Sequence, residues 1–280
     1  MSDAERFDCI VVGGGPAGSL AAVYLARSCR SVLLADAGRP RARWIPRTRN
    51  VPAYPDGLEG GELLARLAEQ VARYRIERID DEATALEGAC GDFRVRGAKG
   101  SWRAKRLLLA TGVMDRMPAH LEHLWTLVRR GSVRLCPVCD AFELRGRRIG
   151  LLAEGRIAEN EARYLSAYSG TVQVLAPAEV LEVVHADAGV AVRLRGGEIL
   201  KLDALYVGCG VDVGSGLARA LGARCDEHGY LVVDQKQQTS VAGLYAAGDV
   251  VQSLSQISVA YGQAAIAASA INMSLSAERP

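Results

Sequence analysis

The sequence predicts an α/β chain built around two β-α-β units, and three observations carry that prediction. First, the apolar run Phe7-Asp8-Cys9-Ile10-Val11-Val12 leads straight into Gly13-Gly14-Gly15-Pro16-Ala17-Gly18. A helical stretch follows to about Ser28, with Leu20, Ala21, Tyr24 and Leu25 at helical spacing, and then a strand, Ser31 to Asp36, that ends on an acid. Second, strand Arg148–Leu152, helix Ile157–Tyr168 and strand Thr171–Leu175 repeat the same order. Third, Leu107-Leu108-Leu109-Ala110-Thr111-Gly112 is an apolar strand closing on a small-residue turn.

The remaining elements fill in around these. Glu59 to Tyr74 reads as an amphipathic helix with Leu63, Leu64, Leu67 and Val71 as its apolar stripe. Short strands are expected near Ile76–Asp80, Ala83–Glu87, Asp92–Gly97 and Ser101–Ala110. A β-meander is expected through Val180–His185, Val190–Leu194 and Ala204–Val207, turning at Gly196-Gly197. A short helix, Gly216–Leu221, and a strand, Tyr230–Asp234, come next, and a small-residue helix from about Gln256 to Met273 closes the chain.

Composition excludes several classes. The chain has 280 residues and a formal charge of +2, so it lacks the basic excess of a nucleic-acid binder. No apolar window reaches the roughly 18 residues of a membrane span, and the run Cys9–Val12 is too short for a signal-peptide core. The expectation is a cytoplasmic enzyme. Cys9, Cys29, Cys90, Cys209 and Cys225 read as scattered small hydrophobes. Cys136 and Cys139 alone are close-spaced, which reads as redox chemistry or as half a zinc site. His120, His123, His185 and His228 offer no pair to complete such a site, so no metal is expected.

The glycine turn has a mechanical rationale. Gly13 permits the tight turn, Gly15 leaves room for a pyrophosphate against backbone N–H groups, and Gly18 lets helix pack on sheet. The helix N-terminus, with Pro16 and Ala17 in its first turn, adds oriented N–H dipoles. Asp36 stands where a carboxylate accepts from ribose hydroxyls. The element predicts dinucleotide binding.

Four signatures in order, Gly13-x-Gly15-x-x-Gly18, Ala110-Thr111-Gly112, Cys136-x-x-Cys139-Asp140 and Ala246-Ala247-Gly248-Asp249, resemble the low-molecular-weight thioredoxin reductase family of flavoproteins over essentially the whole chain. The resemblance implies two Rossmann-like dinucleotide-binding domains of the three-layer ββα type. The FAD domain would be discontinuous, residues 1–114 and 241–280, and 115–240 would be a domain like the one that holds NADPH in typical members. It implies FAD contacts at Ala83, Ala110, Thr111, Gly112 and Gly248, with Asp249 on the ribityl chain, Asn50 near the flavin, and Gln256 and Ile257 beside its pyrimidine. It further implies Cys139 as the flavin-facing thiol, Cys136 as the interchange thiol, and a homodimer.

A flavin and a dithiol each exchange two electrons, and exchange with an outside molecule runs through a mixed disulfide. Asp140 can give or take the proton as thiol and thiolate alternate, and Glu143 is a second candidate. The implied partner is a thioredoxin-like protein or a small-molecule dithiol.

The second unit departs from the family pattern. Where typical members carry a glycine-rich turn, this chain has Ala153-Glu154-Gly155-Arg156-Ile157-Ala158. Where they end the next strand with a histidine and arginines for the 2′-phosphate, it has Leu175-Ala176-Pro177-Ala178-Glu179. NADPH is therefore disfavoured as the direct reductant. Ferredoxin could feed electrons instead, guided by the arginines 39, 41, 43, 47 and 49, although that loop also reads as simply solvated. Alternatives are an O2-dependent dithiol oxidase and, from another class, a non-catalytic flavin-binding redox sensor.

Overall fold

The computed structural model describes residues 6–187, 189–251 and 254–277. In chain order the elements are β1 (Arg6–Val12), α1 (Pro16–Arg27), β2 (Val32–Ala35), α2 (Gly60–Ala72), β3 (Ile76–Ile79), β4 (Ala83–Ala89), β5 (Asp92–Gly97), β6 (Ser101–Leu109) and β7 (Val113–Asp115). They continue with α3 (Leu124–Arg129), β8 (Val133–Arg134), α4 (Pro137–Asp140), β9 (Ile149–Ala153), α5 (Gly155–Ser166), β10 (Val172–Leu175), β11 (Val180–Ala186), β12 (Gly189–Leu194) and β13 (Ile199–Leu202). The last are β14 (Ala204–Gly208), β15 (Val211–Val213), α6 (Gly216–Ala220), β16 (Leu244–Ala246) and α7 (Ile257–Ser276). No helix among the described residues is long and apolar enough to cross a membrane.

The chain forms two compact units. The first comprises Met1–Arg43, Gly61–Met114 and Val213–Pro280. Its sheet runs β3-β2-β1-β6-β5-β4, with β16 also on β6. The strands β3, β2, β1, β6 and β16 are parallel, and β4 and β5 join antiparallel. Period-two alternation sorts the side chains. Cys9, Val11, Val32, Leu34 and Leu108 face one way, onto α1 and α7. Ile10, Val12, Leu33, Leu107 and Leu109 face the other, onto Leu86, Phe93 and Val95 of β4 and β5. A parallel sheet covered on both faces needs apolar residues at successive positions, which is why β1, β2 and the end of β6 read as unbroken apolar runs. The alanines of α7, including Ala260, Ala264, Ala267 and Ala268, are buried in one cluster with Ala17, Ala21 and Ala22 of α1, so their small size lets two helices approach closely.

The second unit comprises Trp44–Gly60 and Asp115–Asp212. Its parallel sheet runs β10-β9-β14-β8, and β11-β12-β13 form a three-stranded antiparallel sheet. Leu152, Leu205 and Val207 face the three-stranded sheet and α3. Leu151, Ala204 and Tyr206 face the opposite side, with Ala141, Leu144 and residues of α5.

The return to the first unit falls at 212/213, and Ala218, Ala223 and Leu231 are buried in that unit's second apolar cluster. Segment 44–60 also belongs to the second unit. The strand β14 is not the third strand of the meander but lies between β9 and β8, while β13 closes the meander. All five residues of β14 are buried, as a central parallel strand requires. Tyr230–Asp234 forms only isolated bridges, Leu231 to Val251 and Val233 to Thr239. Asp234 Oδ1 accepts from the N–H groups of Lys236 and Gln238, and this Asx turn ends the extension.

Candidate functional site

In the first unit the glycine turn is built by close approach. Gly13 has φ +107°, and a Cβ there would strike the carbonyl of Ala110. A Cβ on Gly18 would strike the carbonyl of Gly13. Gly15 differs: its Cβ position meets only Pro40 Cβ, at 3.8 Å. Gly15 is the N-cap of α1, Pro16 follows it in the first turn, and that turn holds no acid. Open space above unpaired N–H groups at a helix N-terminus suits a phosphate.

Asp36, Ala110 and Gly248 lie close against this turn. Asp36 is buried at the end of β2, accepts from Gly38 N at 3.0 Å and pairs with Arg78 at 3.2 Å. A Cβ on Gly248 would lie 2.9 Å from Ala17 Cβ, so the Gly248-Asp249 turn rests on the first turn of α1. Asp249 pairs with Arg41 at 3.3 Å. Thr111 Oγ1 donates to the Gly214 carbonyl at 2.6 Å, and Gly214 N donates to Gly112 O at 2.9 Å, fixing the Ala110-Thr111-Gly112 turn. Gln256 is the N-cap of α7, and Ile257 its first residue. Ala83 opens β4 and packs against the second apolar cluster. Asn50 belongs to the second unit, where its Oδ1 accepts from Thr48 Oγ1 at 2.7 Å. The FAD-type residues present fit a dinucleotide: a cradle that a Cβ would fill, a helix N-terminus, and acids for hydroxyl groups.

The second unit holds the sulfurs. Cys136 and Cys139 form a disulfide across the first turn of α4, with Cα atoms 5.3 Å apart. Asp140 follows, and both of its carboxylate oxygens are engaged. Tyr206 Oη donates to Oδ1 at 2.6 Å, and Arg134 Nη1 pairs with Oδ2 at 3.0 Å. Burial pushes the Asp140 carboxyl up, against the opposing pull of Arg134 and Tyr206, while Glu143 adds to the rise. Glu143 itself pairs with Arg49 at 3.8 Å. Val138, between the two cysteines, and Phe142, three residues after Cys139, are exposed, and Arg145 lies over the Phe142 ring at 3.9 Å.

At the C-terminal end of the second parallel sheet, carboxylates stand near the turn that follows β9. Glu154 is the N-cap of α5. Among the described residues Glu161 Oε2 is buried without a hydrogen-bond partner, beside Gly208. Burial raises the Glu161 carboxyl, and burial with Glu154 and Glu161 nearby raises the Cys209 thiol. One cation stands by the turn after β10: Arg195 Nε donates to the Ala178 carbonyl at 2.6 Å. Among the described residues no group of three or more His, Cys, Asp and Glu is placed to hold a metal ion.

Arg78, Arg134, Glu161, Arg195 and Tyr206 carry no motif of their own in the sequence. Only Arg134, two residues before the cysteine pair, had a local signal.

Two dinucleotide-type units, one of them carrying a disulfide across a helix turn with a carboxylate beside it, define a flavin-dependent disulfide oxidoreductase. The family description "Pyridine nucleotide-disulphide oxidoreductase" matches residues 7–148 and 154–264, and the chain belongs to that family. It is 28% identical to thioredoxin reductase of Peptoclostridium litorale, over 94% of this chain and 95% of that one. Among solved structures, thioredoxin reductase from Streptococcus pyogenes superposes with a TM-score of 0.87 at 25% identity, covering 97% of this chain and 99% of that chain. An oxidoreductase from Agrobacterium tumefaciens gives 0.84 at 27% identity, covering 98% and 100%. The resemblance read from the four motifs and the two-domain Rossmann-like fold are thus both borne out.

Proposed function

We propose that this chain passes electron pairs between FAD and the Cys136–Cys139 disulfide, and between that disulfide and an outside dithiol or disulfide, without NADPH as the direct reductant. The observation that carries the thiol half is the disulfide in α4 followed by a carboxylate held at both oxygens. Gly13, Gly15, Pro16, Ala17 and Gly18 would hold the FAD pyrophosphate, and Asp36 the ribose. Gly248 and Asp249 would meet the ribityl chain, with Ala83, Ala110, Thr111, Gly112, Gln256, Ile257 and Asn50 lining the rest. Bound FAD supplies two-electron exchange.

In the thiol half-reaction an outside thiolate attacks Cys136 Sγ and the Cys136–Cys139 bond breaks. Cys139 leaves as thiolate and takes a proton, with Asp140 as its source. The second outside thiolate then attacks the mixed disulfide and releases Cys136. The outside dithiol ends as a disulfide and the protein pair as two thiols, having gained two electrons. Run backward, the same steps reduce an outside disulfide.

Exclusion of NADPH rests on Glu154 at the N-cap of α5, with Glu161 buried beside Gly208, and on the strand end Leu175–Glu179, which carries no basic residue. Arg39, Arg47 and Arg49 each pair with a carboxylate, Glu82, Glu59 and Glu143 respectively, which leaves the arginine-rich loop little charge for steering ferredoxin. Exposed Val138 and Phe142 favour a partner with apolar surface beside its sulfurs, a thioredoxin-like protein or an apolar small dithiol. The glutamates at the second unit's strand ends also favour a second reading, in which electrons enter from the thiol side: a dithiol and O2 give a disulfide and hydrogen peroxide. A cytoplasmic homodimer fits either reading.

An anaerobic reduction series followed by flavin absorbance tests the proposal. A dithiol should bleach the flavin, and NADPH and NADH should not. Rapid bleaching at micromolar NADPH would overturn the exclusion, and no response to any thiol would leave the redox-sensor class.

A further inference from the structure

Asp140 is held by two side chains, Arg134 six residues before it and Tyr206 66 residues after it. Strands β14 and β8 are parallel neighbours, and their register sets Tyr206 opposite Arg134. Residues in register project from the same face. Val133 and Leu205 take the other face, toward α3 and the three-stranded sheet. Tyr206 and Arg134 are thus delivered together to the side where α4 lies. Tyr206 is fully buried, and its only polar atom reaches Asp140 Oδ1 at 2.6 Å. Arg134 Nη1 reaches Oδ2 at 3.0 Å and the Asp140 carbonyl at 3.2 Å.

We infer that Tyr206 and Arg134 are positioning residues that orient the Asp140 carboxyl and set the pH at which it exchanges a proton with the Cys136–Cys139 pair. The inference rests on the reading of Asp140 as proton carrier. A carboxylate accepts at both oxygens, whereas a carboxylic acid must give up one of these two bonds or turn one around. Both partners are donors as they stand, so each favours the ionised form. Burial works the other way, as does Glu143 from the turn that follows α4. The helix α5 packs against α4 and puts no charged side chain among the groups acting on Asp140. The proton affinity is therefore a balance: a buried acid ready to protonate, restrained by one phenol and one guanidinium.

The test uses holoenzyme and dithiothreitol, with single-turnover reduction of the disulfide followed across pH. In the wild type the rate falls on the alkaline side, where Asp140 has lost its proton. In Asp140→Asn that limb should vanish. In Tyr206→Phe it should move up by about one pH unit, since one donor to the charged form is lost. Arg134→Gln should move it further, and Arg134→Lys should restore most of the shift. Survival of the limb in Asp140→Asn overturns the underlying reading of Asp140. Loss of the limb in Asp140→Asn, with Tyr206→Phe and Arg134→Gln slower but unshifted, overturns this inference and makes the two residues merely structural. Tyr206→Phe removes a single oxygen, and Arg134→Gln probes the other carboxylate oxygen, so failure of one variant to fold leaves the other decisive.

Discussion

Glu161 of α5 stands against Gly208 at the end of β14, so close that a Cβ on Gly208 would fall 2.5 Å from Glu161 Oε2. That carboxylate therefore occupies the strand ends where open α/β sheets bind ligands. With Glu154 at the N-cap of α5, two carboxylates stand at this end of the sheet. A carboxylate near a bound anion costs it on the order of 1 kcal/mol in solvent-accessible surroundings. The expected outcome is weak binding of NADP+ by the wild type and binding roughly tenfold tighter or better in Glu154→Gln/Glu161→Gln. Calorimetric titration of both proteins checks it, and equal affinities would remove the electrostatic argument.

The same Glu161 makes stability depend on pH. Its carboxyl is raised in the fold because burial disfavours the charged form. A raised carboxyl contributes stability that is full below the unfolded value and is lost as pH rises through the folded one. Glu161→Gln removes the ionisation, so its Tm should exceed the wild type's at pH 8 and approach it near pH 4. A penalty of this kind runs to about 1 kcal/mol for a group that keeps partial access to water. Thermal unfolding at the two pH values measures it, and a Tm difference that did not change with pH would count against the assignment.

What the sequence revealed and what it hid follow from how local each signal is. The Gly13–Gly18 turn and Asp36 are legible because strand, turn and helix are contiguous, so pattern and function coincide. The cysteine pair is legible because one helical turn brings residues three apart together. Tyr206 and Asp140 are 66 residues apart and meet only through the β14–β8 register, which no local pattern encodes. The strand β14 was expected in the meander because five buried residues have no alternation to show which sheet they join. Tyr230–Asp234 has alternating character, but Asp234 turns the backbone before a ladder can form.

Gly13 and Gly15 should separate folding from binding. Gly13→Ala places a Cβ against the Ala110 carbonyl at positive φ, and should destabilise the chain by at least about 1–2 kcal/mol. Gly15→Ala meets only Pro40 Cβ at 3.8 Å with φ −71°, a conformation any residue adopts, so the apoprotein should melt as the wild type does. It should still bind FAD more weakly, because the added methyl points into the space above the α1 N-terminus. Melting of the apoproteins and FAD titration by fluorescence make the comparison. Wild-type FAD affinity in Gly15→Ala would place the pyrophosphate elsewhere.

Cys136→Ser and Cys139→Ser should each reduce thiol turnover to background while leaving FAD content unchanged. The disulfide closes a loop of one helical turn, so its removal takes little entropy from the unfolded chain and should barely lower Tm. The two variants should nonetheless differ. If Cys136 is the interchange thiol, Cys139→Ser leaves it without a resolving partner, and it should be trapped as a mixed disulfide with an outside disulfide. Cys136→Ser leaves only the flavin-side thiol and should trap little. Intact mass after incubation with a small acyclic disulfide, whose leaving thiol diffuses away, reads the adduct directly. Trapping by Cys136→Ser and not by Cys139→Ser would exchange the two roles, and with them the direction in which Asp140 must deliver its proton.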